Sequence, residues 1–197
     1  CVVARTPVSF LGFLSMIRVS FAVICFLFLS LASTSFAKVY LTRDEALELA
    51  FPDADMVDKK VFFLTDDQVK EIESLSRTKV DSKIFVYFVG KKGEKVLGYA
   101  VIDTHTVRTK SETVMVVINQ DGTVKQVEIL AFFEPPDYMP GEKWLELFQD
   151  KKLSTSLRLG GDIPRITGAT ITSNTIVKVV RRILATFQVV TKGVSIN

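Results

Sequence analysis

Thr113-Val114-Met115-Val116-Val117-Ile118, then Asn119-Gln120-Asp121-Gly122, then Thr123 through Phe132, is the stretch that decides the fold. It reads as two strands joined by a tight turn, because Asp-Gly is strong hairpin turn chemistry. Just upstream the pattern repeats. Ile84 to Val89 is a strand, Gly90-Lys91-Lys92-Gly93-Glu94 turns the chain, and Val96 to Asp103 returns as the partner. Two consecutive hairpins predict an antiparallel sheet.

Helix signals lie on both sides of these hairpins. Thr42-Arg43-Asp44-Glu45 is a capping box, and it opens a helix from Arg43 to Phe51 that puts Ala46, Leu47 and Ala50 inward and stops at Pro52. Val57 to Leu64 reads as a strand. Thr65-Asp66-Asp67-Gln68 repeats the capping logic for a helix running to about Arg77, with Val69, Ile72 and Leu75 on one face. After the hairpins, Glu134 to Gly141 is a loop and Glu142 to Gln149 a short helix. A last helix is expected from Thr172 to about Val190, with Ile176, Val179, Val180 and Ile183 inward. The fold class expected is α+β: a single domain with an antiparallel sheet flanked by helices, after an N-terminal signal peptide.

The signal peptide is read from Met16-Ile17-Arg18, the apolar run Val19 to Ala32, and the small residues of Ser35-Phe36-Ala37. Residues 1–15 are then upstream sequence outside the natural product, and residues 16–37 a signal peptide or membrane anchor. Residues 38–80 form an N-terminal helical and strand extension, and residues 81–197 the main domain. The localisation expected is exported, either periplasmic or at the extracytoplasmic face of the membrane.

The 197 residues carry 25 basic and 22 acidic side chains, a net charge of +3. That is no nucleic-acid polycation. Both cysteines, Cys1 and Cys25, precede Lys38, and His105 is the single histidine. A chain cut before Lys38 thus has no thiol for a disulfide, a cluster or a zinc site, and no multi-histidine metal site.

The segment that carries chemistry is Ile166-Thr167-Gly168-Ala169-Thr170-Ile171-Thr172-Ser173. It is a hydroxyl-rich turn opening a helix, where free amides and the helix dipole stabilise an anion. Arg165 adds positive charge beside it. The plainer alternative is that Thr172 or Ser173 caps the helix. Thr167 to Ser173 resembles the (S/T)-G-A-T-x-T-S signature of the FMN-binding domain family. That family includes the C subunit of the sodium-translocating NADH:quinone oxidoreductase and the G subunit of the Rnf complex. The order Asp121-Gly122, Glu134-Pro135-Pro136, Trp144 to Phe148 and the motif is similar too. Two positions depart: Pro164 stands where the family often has Asp, and Glu134-Pro135-Pro136-Asp137 where it usually has Glu-Thr-Pro-Gly.

The resemblance implies FMN as cofactor, joined covalently through its phosphate to Thr170 by a dedicated FMN transferase. It implies that Thr167, Gly168, Ala169, Ile171, Thr172, Ser173 and Glu134 surround that cofactor. The function expected is an extracytoplasmic flavoprotein that transfers electrons to and from redox partner proteins in the periplasm or membrane. The alternative is a flavin-binding sensory or interaction module without redox turnover. No catalytic residue set, metal or nucleic acid is expected. His105 reads as a loop residue, and Tyr138, Trp144 and Phe148 as core aromatics that are also able to stack on a flavin ring.

Overall fold

The computed structural model describes residues 38–193; the expected signal segment 16–37 lies outside them. Six strands form one antiparallel sheet: β1 (Lys38–Val39), β2 (Met56–Phe63), β3 (Ile84–Lys92), β4 (Lys95–Thr106), β5 (Ser111–Ile118) and β6 (Val124–Phe132). Their spatial order is β1-β6-β5-β4-β3-β2. Four helices accompany them: α1 (Arg43–Ala50), α2 (Asp66–Ser76), α3 (Glu142–Leu145) and the long α4 (Thr170–Gly193). The fold is α+β, as the hairpins predict.

Side-chain alternation along the strands divides the core in two. Tyr99 and Val101 of β4 and Val114, Val116 and Ile118 of β5 point to one face, where they pack under Trp144, Phe148, Ile176, Val180 and Ile183. Ala100, Met115, Val117 and Leu130 point to the other, where α1 covers them with Ala46, Leu47, Ala50 and Phe51. Each such fully buried large side chain contributes roughly 1.5–3 kcal/mol. Phe51 lies where a side chain at position 90 would stand, because a Cβ on Gly90 would come 2.4 Å from its Cγ. Glycine there is a packing requirement.

Both capping boxes form. The Thr42 hydroxyl accepts the Glu45 amide, and the Glu45 carboxylate accepts the Thr42 amide at 2.7 Å. Thr65 and Gln68 do the same for α2. A third cluster, Leu64 and Ile72 with Ala185, Val189 and Val190, fastens α2 to the end of α4. The stretch expected as one helix after Gly141 is a single α turn continued as a tighter 3-10 turn, Glu146–Phe148. Among the described residues, no helix is long and apolar enough to cross a membrane.

Candidate functional site

Helix α4 begins at Thr170, two residues earlier than expected. Gly168 adopts φ 88°, a left-handed conformation that lets the chain turn sharply into the helix. The Ala169 carbonyl then accepts the Ser173 amide at 2.9 Å, so Ala169 holds the cap position and Thr170 the first helical one. Thr172 and Ser173 do not cap. The Ser173 hydroxyl donates back to the Ala169 carbonyl at 2.8 Å, and the Thr170 hydroxyl donates to the Ile166 carbonyl at 2.9 Å. The amides of Thr170, Ile171 and Thr172 have no protein acceptor among the described residues. The Thr172 hydroxyl is also unpartnered, although the residue is only 1% exposed. Thr167, Gly168 and Thr170 are exposed, and Ala169 and Ser173 are buried. Ile171 is an apolar side chain left 47% exposed.

Helix α3 and the loop after β6 both meet this turn. The indole N–H of Trp144 donates to the Pro164 carbonyl at 2.9 Å, fixing the approach to the motif. The loop after β6 passes beside Gly168, where a Cβ would lie 4.0 Å from the Asp137 carbonyl. Glu134, in that loop, is buried, and its Oε1 accepts the amides of Thr109 at 2.7 Å and Lys110 at 2.8 Å, with Arg108 at 3.3 Å. The Thr109 amide first, then those of Lys110 and Arg108, hold its carboxyl below the usual range against the opposing effect of burial. Glu134 therefore fastens the β4–β5 turn, with Oε1 committed to protein amides. That turn brings Arg108 over the Tyr138 ring, 4.8 Å from its centroid. Arg165, expected beside the anion site, instead lies along Gly160, with Nε 3.4 Å from where a Cβ there would stand. Trp144 and Phe148 are buried and pack edge to face at 5.3 Å, so they belong to the core.

His105 is not in a loop. Strand β4 continues to Thr106, and His105 faces Glu112 across the β4–β5 ladder. Its Nδ1 is 2.9 Å from Asp103 Oδ1 and its Nε2 is 2.9 Å from Glu112 Oε2. Arg182 of α4 completes the group, donating to Asp103 Oδ2 at 2.7 Å. Burial would lower the imidazole's pKa, but the bonds and charges of Asp103 and Glu112 outweigh it and raise it from 6.5 to about 9. At neutral pH the ring is an imidazolium. Sequence reasoning missed this cluster, although Asp103-x-His105 at strand spacing was its one local signal. Among the described residues, no group of acidic, His or Cys side chains is arranged to hold a metal ion.

A search of curated proteins returns no match. Residues 108–185 match the family model described as the FMN-binding domain. The match takes in the Asp121-Gly122 turn, the Glu134 loop, and the motif with most of α4. Residues 108–185 are thus identified as an FMN-binding domain, which supports reading the chain as a flavin-binding protein.

Proposed function

We propose that this protein is an extracytoplasmic electron-transfer flavoprotein whose FMN is attached through its phosphate to the Thr170 hydroxyl. The single observation that carries this is the start of α4: an exposed Thr170 beside three unpartnered amides and the buried, unpartnered hydroxyl of Thr172. Those donors suit a phosphate, and Gly168 leaves the approach free of a side chain. Bound there, the flavin supplies the redox chemistry, and the protein supplies position and electrostatics.

Helix-end contacts stabilise a charge by only about 0.3–1 kcal/mol each. Arg165, the basic residue nearest the motif in sequence, lies along Gly160, which leaves the helix-end contacts to hold the phosphate. Such contacts would not retain a shuttling cofactor against dilution outside a cell, which favours a covalent tether. The transferase's donor has to be an activated flavin phosphate, such as a flavin dinucleotide, whose pyrophosphate bond breaks and releases the nucleoside monophosphate as the ester forms at Thr170 Oγ1. The Oγ1 hydrogen now donated to the Ile166 carbonyl leaves as a proton, so attachment frees that carbonyl. The export reading rests on the sequence of residues 16–37. Attachment requires an FMN transferase, and turnover requires redox partner proteins.

The test is co-expression with an FMN transferase, followed by mass spectrometry of the tryptic peptide beginning at Ile166. It should carry FMN on Thr170, and Thr170→Ala should abolish in-gel flavin fluorescence. Covalent flavin persisting in Thr170→Ala would overturn the assignment.

A further inference from the structure

Strand β2 lies at one end of the sheet and pairs with β3 alone. Next to that ladder the Leu64 amide donates to the Lys83 carbonyl at 2.8 Å. Strand alternation then turns the amides and carbonyls of Val57, Lys59, Val61 and Phe63 away from β3. Among the described residues, β2 makes no backbone bond beyond that ladder. The same four side chains share one face of the sheet. Toward Val57 that face is covered, because Val57 and Val86 pack against the α1 cluster. Toward the other end it is bare: Phe63 is 71% exposed, and Val61 and the cross-strand neighbour Ile84 are exposed beside it. A row of unpaired backbone groups bordering an apolar patch is a template for a further strand.

Charge along the edge decides which strand fits. Asp58 bonds Lys91 at 2.9 Å, and Asp66 bonds Lys83 at 2.7 Å. Lys59 and Lys60, in the middle of β2, are exposed and belong to no ion pair among the described residues. They project to opposite faces. A second copy is disfavoured, because self-pairing centred on either lysine sets it against its own counterpart. A membrane surface is disfavoured too, since hydrocarbon offers no partner to the outward amides and carbonyls. We propose that β2 is a docking edge for a partner protein, which lays an extended segment antiparallel to it, with adjacent acidic residues against Lys59 and Lys60 and apolar residues against Val61 and Phe63. The backbone bonds supply affinity, and the charges and apolar contacts select the segment. Strand β2 lies outside residues 108–185, and the proposal does not rest on the flavin tether.

The test titrates the isotope-labelled full chain with the capped peptide Thr-Val-Val-Val-Glu-Glu-Thr-Val-Thr. At saturation, hydrogen exchange should slow several-fold at the amides of Val57, Lys59, Val61 and Phe63, and stay unchanged at the inward amides of Asp58, Lys60 and Phe62. Lys59→Glu combined with Lys60→Glu should weaken binding of this peptide several-fold and restore it for the peptide with lysines in place of its glutamates. Val61→Pro removes one outward amide, a change an edge strand tolerates, and should also weaken binding several-fold. Absence of protection up to the peptide's solubility limit would overturn the proposal, as would binding indifferent to the charge exchange. So would sedimentation showing a dimer of the free chain that Val61→Pro dissociates, which would give the edge to a second copy. Binding to phosphatidylglycerol vesicles that Phe63→Ser abolishes and Val61→Pro leaves intact would give the patch to a membrane, and overturn the proposal as well.

Discussion

Arg181 Nε and the Ser76 carbonyl oxygen, 105 residues apart in sequence, lie 2.9 Å apart in a buried contact. The same guanidinium donates to the carbonyls of Leu75 and Leu157 at 3.1 and 3.0 Å, and also to that of Ser154. Among the described residues Arg181 forms no ion pair, so backbone carbonyls alone compensate a buried cation. Two of them close the C-terminal end of α2, where the helix dipole favours positive charge.

Removing that hub should cost more than its packing. Arg181→Met should lower unfolding stability by about 3 kcal/mol, because several carbonyls lose their donor together. Arg181→Lys should recover only part, since an ammonium lacks the planar fork. Urea unfolding checks both, read as a lower midpoint at an unchanged slope.

Stability should fall on the alkaline side of neutrality. His105 has a folded pKa of about 9 against an ordinary 6.5. Its contribution is therefore whole below about pH 6.5 and is lost as pH rises through 9. The loss should amount to about 3 kcal/mol at most. Glu112, raised by burial, acts in the same direction at lower pH. Asp103 is lowered, because the His105 bond and Arg182 outweigh burial, so its contribution is lost only in acid. His105→Gln should flatten the alkaline limb of unfolding free energy against pH.

Gly168→Ala tests the entry into α4. A Cβ there meets nothing closer than the Asp137 carbonyl at 4.0 Å, so the cost is conformational and not steric. The φ of 88° should make it about 1–2 kcal/mol. Thermal unfolding should report that loss, and flavin loading of the variant should be slower.

Thr172→Val separates stability from cofactor binding. Replacing a buried, unpartnered hydroxyl by a methyl should raise the stability of the flavin-free protein by about 1 kcal/mol. The same change should reduce FMN attachment. Thermal melts of unloaded protein and flavin-to-protein absorbance ratios give the two halves of the result.

The hairpins and both capping boxes were legible because their determinants are local: an Asp-Gly turn, or a Thr and an acid or amide three residues on. The start of α4 was misplaced because Thr172 and Ser173 look like caps. The true cap, Ala169, has no side-chain oxygen, and the turn is set by the backbone at Gly168. The Asp103–His105–Glu112–Arg182 group was invisible because its partners converge from two strands and a helix up to 79 residues apart. The motif residues were legible as a string. That Glu134 ties down the 108–110 amides, and that Arg108 rather than Arg165 stands by the Tyr138 loop, depends on which strands pair, and no local pattern encodes it.

Trp144 is the only tryptophan in the chain, and its indole N–H is held by the carbonyl of Pro164, three residues before Thr167. The protein thus contains its own optical probe of the motif. A shift of the 164–169 turn breaks or bends that one bond, and the emission of a single, unambiguous fluorophore moves with it. On the attachment proposed at Thr170, loading would be followed on the same channel, because a flavin there would accept excitation from the indole. Attachment kinetics then require no label, only a fluorimeter set on residue 144.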